Sequence, residues 1–165
     1  MNQHQQPKQY ADYPALVNGD PIVVLQRQAT EFPEFLSAIT AKADYAYAPG
    51  KWTIKEVVGH IIDTERILVY RLTAIARGEQ SPLPGFEEDA YVAAAHFSDR
   101  SLLSLSEEFS ALRTANMYLF RSLTTEELSR SGTASQKPNT VERLRLTIAG
   151  HLTHHIQVIK ERYLV

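Results

Sequence analysis

Residues 53–63 read Thr53-Ile54-Lys55-Glu56-Val57-Val58-Gly59-His60-Ile61-Ile62-Asp63. Thr53 followed three positions later by Glu56 is a capping box, and Trp52 and Val57 are placed for a hydrophobic staple across it. Gly78 supplies a C-terminal stop, so the pattern predicts a helix from Thr53 to Arg77. Its inward stripe is Val57, Ile61, Leu68, Leu72 and Ile75, and His60 and Thr64 fall on that stripe. A histidine turned toward a core needs a partner, so His60 is the first residue to explain.

Three further segments have helical period. Asp20 followed by Pro21 is an N-cap and first-turn pair. It opens a helix to about Ala41 with Ile22, Leu25, Ala29, Phe32, Leu36 and Ile39 on one face. Pro33 lies inside and is expected to kink or split this helix. A third segment runs from about Asp99 to Ser122 with the stripe Leu102, Leu105, Phe109, Leu112, Leu119 and Leu123, interrupted by Asn116. A short helix over roughly Glu87 to Ala95 precedes it, and a turn at Thr124-Thr125-Glu126-Glu127 follows. The fourth runs from about Thr140 to Leu164, with Leu144, Ile148, His151, His155 and Val158 inward, after a polar loop at 129–139. No segment sustains strict alternation. The expected fold is all-α, a four-helix bundle of residues 20–165 with long connections, behind an extended lead-in of residues 1–19 laid over the surface through Tyr10 and Tyr13.

Composition narrows the function classes. A chain of 165 residues with 44% hydrophobic residues can bury a core without covalent staples. Its net charge of -2, with no obviously basic face, argues against a nucleic-acid partner held through phosphates. Cysteine is absent, which excludes disulfides, Cys–zinc sites and a cysteine nucleophile. No apolar run reaches the roughly 18 residues of a membrane span. The N-terminus has no apolar signal core, so a soluble cytoplasmic protein is the expectation.

The histidines carry the chemistry. In Gly150-His151-Leu152-Thr153-His154-His155-Ile156-Gln157, His151 and His155 are four apart. On a helix their side chains stack on one face, about 5–6 Å apart at Cβ, close enough to share one ion. Each alone also reads as a core imidazole hydrogen-bonded to a neighbour. Together with His60 at a compatible depth they make three nitrogen donors, suited to zinc, nickel, iron or copper. Three protein ligands leave a coordination position open, the mark of a catalytic site. Leu152 stands where an HExxH protease motif would place its glutamate, so any general base comes from elsewhere. His154, one position round the helix, is a candidate base, or else a helix contact or solvent-facing side chain. Asp63 is a candidate to orient an imidazole, or else part of a solvated face with Arg66. His96 reads as a loop histidine at the surface and His4 as part of the lead-in. Glu87, Glu88 and Asp89 read as the acidic first turn of the short helix, or else as a substrate or partner contact.

Two stretches meet a known pattern. Lys51 to Asp63 and Gly150 to Ile159 resemble the second- and fourth-helix signatures of the DinB-like superfamily, and Pro84 to Tyr91 is similar to a segment of its YfiT-like branch, described as metal-dependent hydrolases. The resemblance covers nearly the whole chain after the lead-in. It implies a bundle of up-down-down-up order and a divalent metal, zinc or nickel, on the histidines at positions 60, 151 and 155. It implies a homodimer and a small-molecule substrate. Some relatives are S-transferases for a low-molecular-weight thiol. The expected function is a metal-dependent enzyme that activates such a thiol, or water. The alternative is a non-catalytic bundle that binds metal or a ligand.

Overall fold

A computed structural model describes residues 11–165, so Tyr10 and His4 of the predicted lead-in lie outside the described residues. The elements in chain order are α1 (Pro21–Ala38), α2 (Ile54–Ala76), α3 (Glu88–Ala94), α4 (Leu102–Ser122), α5 (Thr125–Ser129), the strands β1 (Ser131–Ala134) and β2 (Lys137–Thr140), and α6 (Val141–Val158). A 3-10 turn at Tyr13–Leu16 precedes α1, and a π-helical turn at Ile159–Tyr163 follows α6.

The four long helices are placed by their caps. The Thr53 capping box is formed, with Thr53 N–H donating to Glu56 at 2.7 Å and Glu56 N–H to Thr53 Oγ1 at 3.2 Å. Asp20 accepts from Ile22 N–H at 2.8 Å, and Thr140 accepts from Arg143 N–H at 3.0 Å. Gly78 takes a φ of 89°, a left-handed turn that glycine adopts without a Cβ penalty. Of the expected kink or split at Pro33, the split does not occur: α1 runs through that residue as one helix. Phe32 and Leu36, buried on either side, hold both halves against the core and offset the one donor that proline removes.

Helix directions follow from cross-contacts. Near the start of α1, Gln28 meets Arg113 of α4, and one turn on, Phe32 packs against Phe109, so these helices are antiparallel. Gln28 also meets Ala149, and Phe35 meets Lys160 just beyond α6, so α1 and α6 are parallel. Lys55 reaches Ser98 before α4 and Arg77 pairs with Glu127 after it, so α2 and α4 are parallel. Tyr163 donates to the Trp52 carbonyl while Arg130 donates to that of Ala76, so α2 and α6 run antiparallel side by side. This is the up-down-down-up bundle. Its core divides into two apolar clusters, one around Leu72, Phe120 and Ile148, the other around Ile62, Phe109 and Leu152.

The segment 129–139, expected as a loop, is a β-hairpin, with Ser131 opposite Thr140 and Ala134 opposite Lys137. Ser135 and Gln136 both have positive φ, 51° and 61°, the geometry of a two-residue turn whose twist matches the strands. Leu83 bonds across the outer edge, its N–H to Thr133 O at 2.9 Å and its carbonyl to Ser135 N–H at 3.1 Å. Leu83 and Ala134 are both buried, and this anchors the hairpin to the bundle. The Thr124–Glu127 turn is the capping box of the short helix α5.

Gly150 fixes the N-terminal turn. A Cβ there would lie 1.8 Å from the Tyr13 carbonyl oxygen. Two effects compete in Gly150→Ala: helix propensity favours alanine by about 1 kcal/mol, and overpacking costs about 1–3 kcal/mol. Backbone cannot yield as a flexible side chain does, so the turn at 13–16 is expected to detach. Protection of the amides of residues 15–17 from hydrogen exchange should fall in the variant while that of α2 is retained; unchanged protection of 15–17 would refute the account.

Candidate metal centre

His60 enters from α2, and His151 and His155 from α6, the antiparallel neighbour. The Nε2 atoms of His60 and His151 are 3.1 Å apart, as are those of His151 and His155. One ring nitrogen from each of the three lies within 4.8 Å of the others. Two ligands held 2.0–2.1 Å from one zinc at tetrahedral angles are about 3.3 Å apart, so the spacing fits a shared cation. A proton fits it less well. Each neutral Nε2 carries either a hydrogen or a lone pair, and one hydrogen cannot satisfy three mutually facing nitrogens. A cation accepts all three lone pairs.

The surroundings hold the rings in that arrangement. His60 and His151 are buried and His155 is partly buried. The Thr64 hydroxyl, one turn along α2, lies 3.4 Å from His60 Nδ1, a long contact that favours a hydrogen on Nδ1 and a lone pair on Nε2. Trp52 packs on the His60 ring at 4.8 Å between centroids. The Tyr13 ring meets His151 edge-on at 5.2 Å and His154 at 5.5 Å. Gln28 donates to Ala149 O at 2.8 Å and to Thr153 Oγ1 at 3.1 Å, which fixes α6 on either side of His151.

Burial favours the neutral form of His151 and His155. Burial holds His151 well below the ordinary imidazole range, and the neighbouring His155, His60, His154 and Arg113 push in the same direction. Burial lowers His155 to about 3, with His60 and His154 adding to the shift. Neutral imidazole is the form that binds metal.

The cluster forms part of the wall of a cleft of about 1100 Å³ between α2 and α6. Tyr13, Phe86 and the hairpin tip at Ser135–Lys137 form further parts of its wall. His154 lines the cleft, its ring 5.2 Å from that of His155, and burial followed by the charge of Arg162 lowers its pKa. Asp63 is not brought to the cluster. It pairs with Arg66 at 3.4 Å on the outer side of α2, and Thr64 occupies the place beside His60. His96 is at the surface, 3.6 Å from Asp99. Glu88 and Asp89 form the first turn of α3, and Glu87 and Glu88 also line the cleft. The hairpin wall and Arg71 escaped sequence reasoning. Arg71 alone left a signal, a cation eleven positions after His60 on the same helical stripe.

A profile of the DinB superfamily matches residues 25–159, and the chain belongs to that superfamily. Among solved structures it is similar to YfiT from Bacillus subtilis, described as a probable metal-dependent hydrolase with an unusual four-helix bundle topology. That likeness has a TM-score of 0.76 at 18% identity and covers 98% of this chain and 92% of that one. It is also similar to a mycothiol-dependent maleylpyruvate isomerase, with a TM-score of 0.66 at 14% identity, over 89% of this chain and 62% of that one. At such identities the likeness shows the fold. No curated protein sequence matches the chain. No helix among the described residues is long and apolar enough to cross a membrane.

Proposed function

We propose that this chain is a metal-dependent enzyme of small-molecule chemistry, in which His60, His151 and His155 hold one divalent cation, zinc or nickel. The observation that carries the reading is the convergence of three imidazole nitrogens within 4.8 Å at the wall of a cleft. When bound, such an ion supplies Lewis acidity, which makes a thiol or water nucleophilic near neutral pH. The chain's own side chains do the rest. Trp52 and Tyr13 pack on the histidine rings and limit water on that side. His154, neutral at pH 7 and facing the cleft, is placed to take a proton from an incoming nucleophile.

Transfer of a low-molecular-weight thiol to an electrophile is the preferred reaction. The chain has no cysteine, so the thiol arrives as a cosubstrate. The mycothiol dependence of one structural neighbour supports this choice. Hydrolysis is the second reading, and the description of the other neighbour supports it.

The test uses full-length protein without a polyhistidine tag, supplied with zinc or nickel and an epoxide or halogenated electrophile, with and without thiol. Turnover that requires both thiol and metal is expected. Loss of the His154 base in His154→Gln is expected to lower kcat by about 10²–10⁴-fold with metal content unchanged. Equal turnover with and without thiol would replace transfer with hydrolysis. Full turnover after chelation would sink the reading.

A further inference from the structure

Arg71 lies eleven residues after His60 on α2, about 16 Å along the helix axis and within about 20° of the same face. Thr64 and Leu68 lie between them on that face, and all four residues line the one cleft. Arg71 is 7% exposed, yet no carboxylate pairs with it among the described residues. Its hydrogen bonds to the described residues go to neutral oxygens through Nη2 alone, to Pro84 O at 2.7 Å and Ser135 Oγ at 3.0 Å. The guanidinium carbon Cζ lies over the Phe86 ring, 5.8 Å from the ring centroid. Nε and Nη1 have no partner among the described residues. No fully buried side-chain nitrogen or oxygen lacks a partner among the described residues, so these donors meet accessible space.

A buried cation without a counter-charge is costly, and the cost falls when an anion joins it. We propose that Arg71 holds a carboxylate of the small molecule that occupies the cleft, with the Ser135 hydroxyl as a second donor. Ser135 accepts from Nη2 and keeps its own hydrogen for a ligand oxygen. Lys137 at the hairpin tip adds positive charge to the same wall. The substrate or cosubstrate would then carry its carboxylate at the far end of the cleft from its reacting atom. This assignment rests on the cleft as the substrate site of the proposed enzyme and does not depend on the metal.

The test therefore uses metal-stripped full-length protein. Sodium acetate is titrated at constant ionic strength against sodium chloride, with acetamide as the neutral control and inorganic phosphate as a further arm. The readout is the Arg71 Nε–H resonance with the backbone amides of Ser135, Gln136 and Lys137. Acetate is expected to give a saturable shift that chloride and acetamide do not give. Arg71→Gln should weaken acetate binding by about tenfold or more, and Arg71→Lys should retain part of it. Arg71 also fastens the 84–86 loop to the hairpin, so a variant that fails to fold leaves the wild-type titration to decide. Shifts shared with chloride, no saturation, unchanged binding in folded Arg71→Gln, or phosphate bound more tightly than acetate would each overturn the carboxylate assignment. Saturable acetate binding in a protein that takes up neither zinc nor nickel on reconstitution would overturn the metal reading and leave Arg71 in place.

Discussion

Replacing Arg113 with methionine is expected to lower the free energy of unfolding by about 3–5 kcal/mol, because it leaves a carboxylate buried without its partner. Arg113 is fully buried in α4 and meets Glu65 of α2 bidentately, Nε to Oε1 and Nη2 to Oε2, both at 2.8 Å. Nη1 donates to Leu25 O at 3.2 Å and to Gln28 Oε1 at 3.0 Å, and Asn116 donates to Glu65 at 3.0 Å. These groups form a polar layer between the two apolar clusters of the core. Methionine keeps much of the arginine volume, so the loss measures the stranded charge rather than a cavity. Against a total stability of about 5–15 kcal/mol the loss is large. The double variant Glu65→Met with Arg113→Met removes both charges and is expected to cost less than Arg113→Met alone. Urea unfolding midpoints at unchanged slope measure this. A single variant within about 1 kcal/mol of wild type would show that the pair contributes little.

Loss of metal is the second large effect. His151→Ala removes the nitrogen that lies 3.1 Å from both others and is expected to weaken zinc binding by more than the roughly 10–100-fold typical of outer-shell changes. The same substitution should change the pH dependence of the metal-free protein. Both His151 and His155 have folded pKa values below the unfolded value near 6.5, so the unfolded chain binds the extra protons. Stability is full above about pH 6.5 and declines as pH falls toward the folded value of about 3 for His155. From pH 7 to pH 5 His155 accounts for about 2 kcal/mol of loss, and His151 adds loss of the same sign. His151→Ala should therefore show a shallower decline on acidification. A decline as steep as that of wild type, from unfolding curves between pH 5 and 7, would contradict the buried neutral state of His151.

Much of this fold could be read from the chain because its signals are local. The Thr53–Glu56 box, the Asp20–Pro21 start and the left-handed Gly78 act within one turn, and each lies where the pattern put it. His60, His151 and His155 were legible because a 3.6-residue period turns them inward, and α2 and α6 then lie side by side. The hairpin left no such signal. Its strands have four residues each, drawn from Ser, Gly, Thr, Ala, Lys, Pro and Asn, and the Leu83–Ala134 anchor that holds them is a tertiary contact. The partnership of Glu65 with Arg113 spans 48 positions on separate helices. Asn116, which reads as a gap in an apolar stripe, is a member of that same layer. Asp63, open in the chain between orienting an imidazole and sharing a polar face with Arg66, pairs with Arg66. Thr64, four residues after His60, is the neighbour whose hydroxyl meets its ring.

X-ray absorption at the zinc edge, on full-length protein purified without a polyhistidine tag and reconstituted with zinc, tests the centre most directly. One zinc per chain is expected, with a shell of about three imidazole nitrogens at roughly 2.0–2.1 Å. In His60→Ala, His151→Ala and His155→Ala alike, that shell should lose an imidazole or the zinc altogether. A spectrum of oxygen ligands alone, or one unchanged in all three variants, would contradict a metal centre built by His60, His151 and His155.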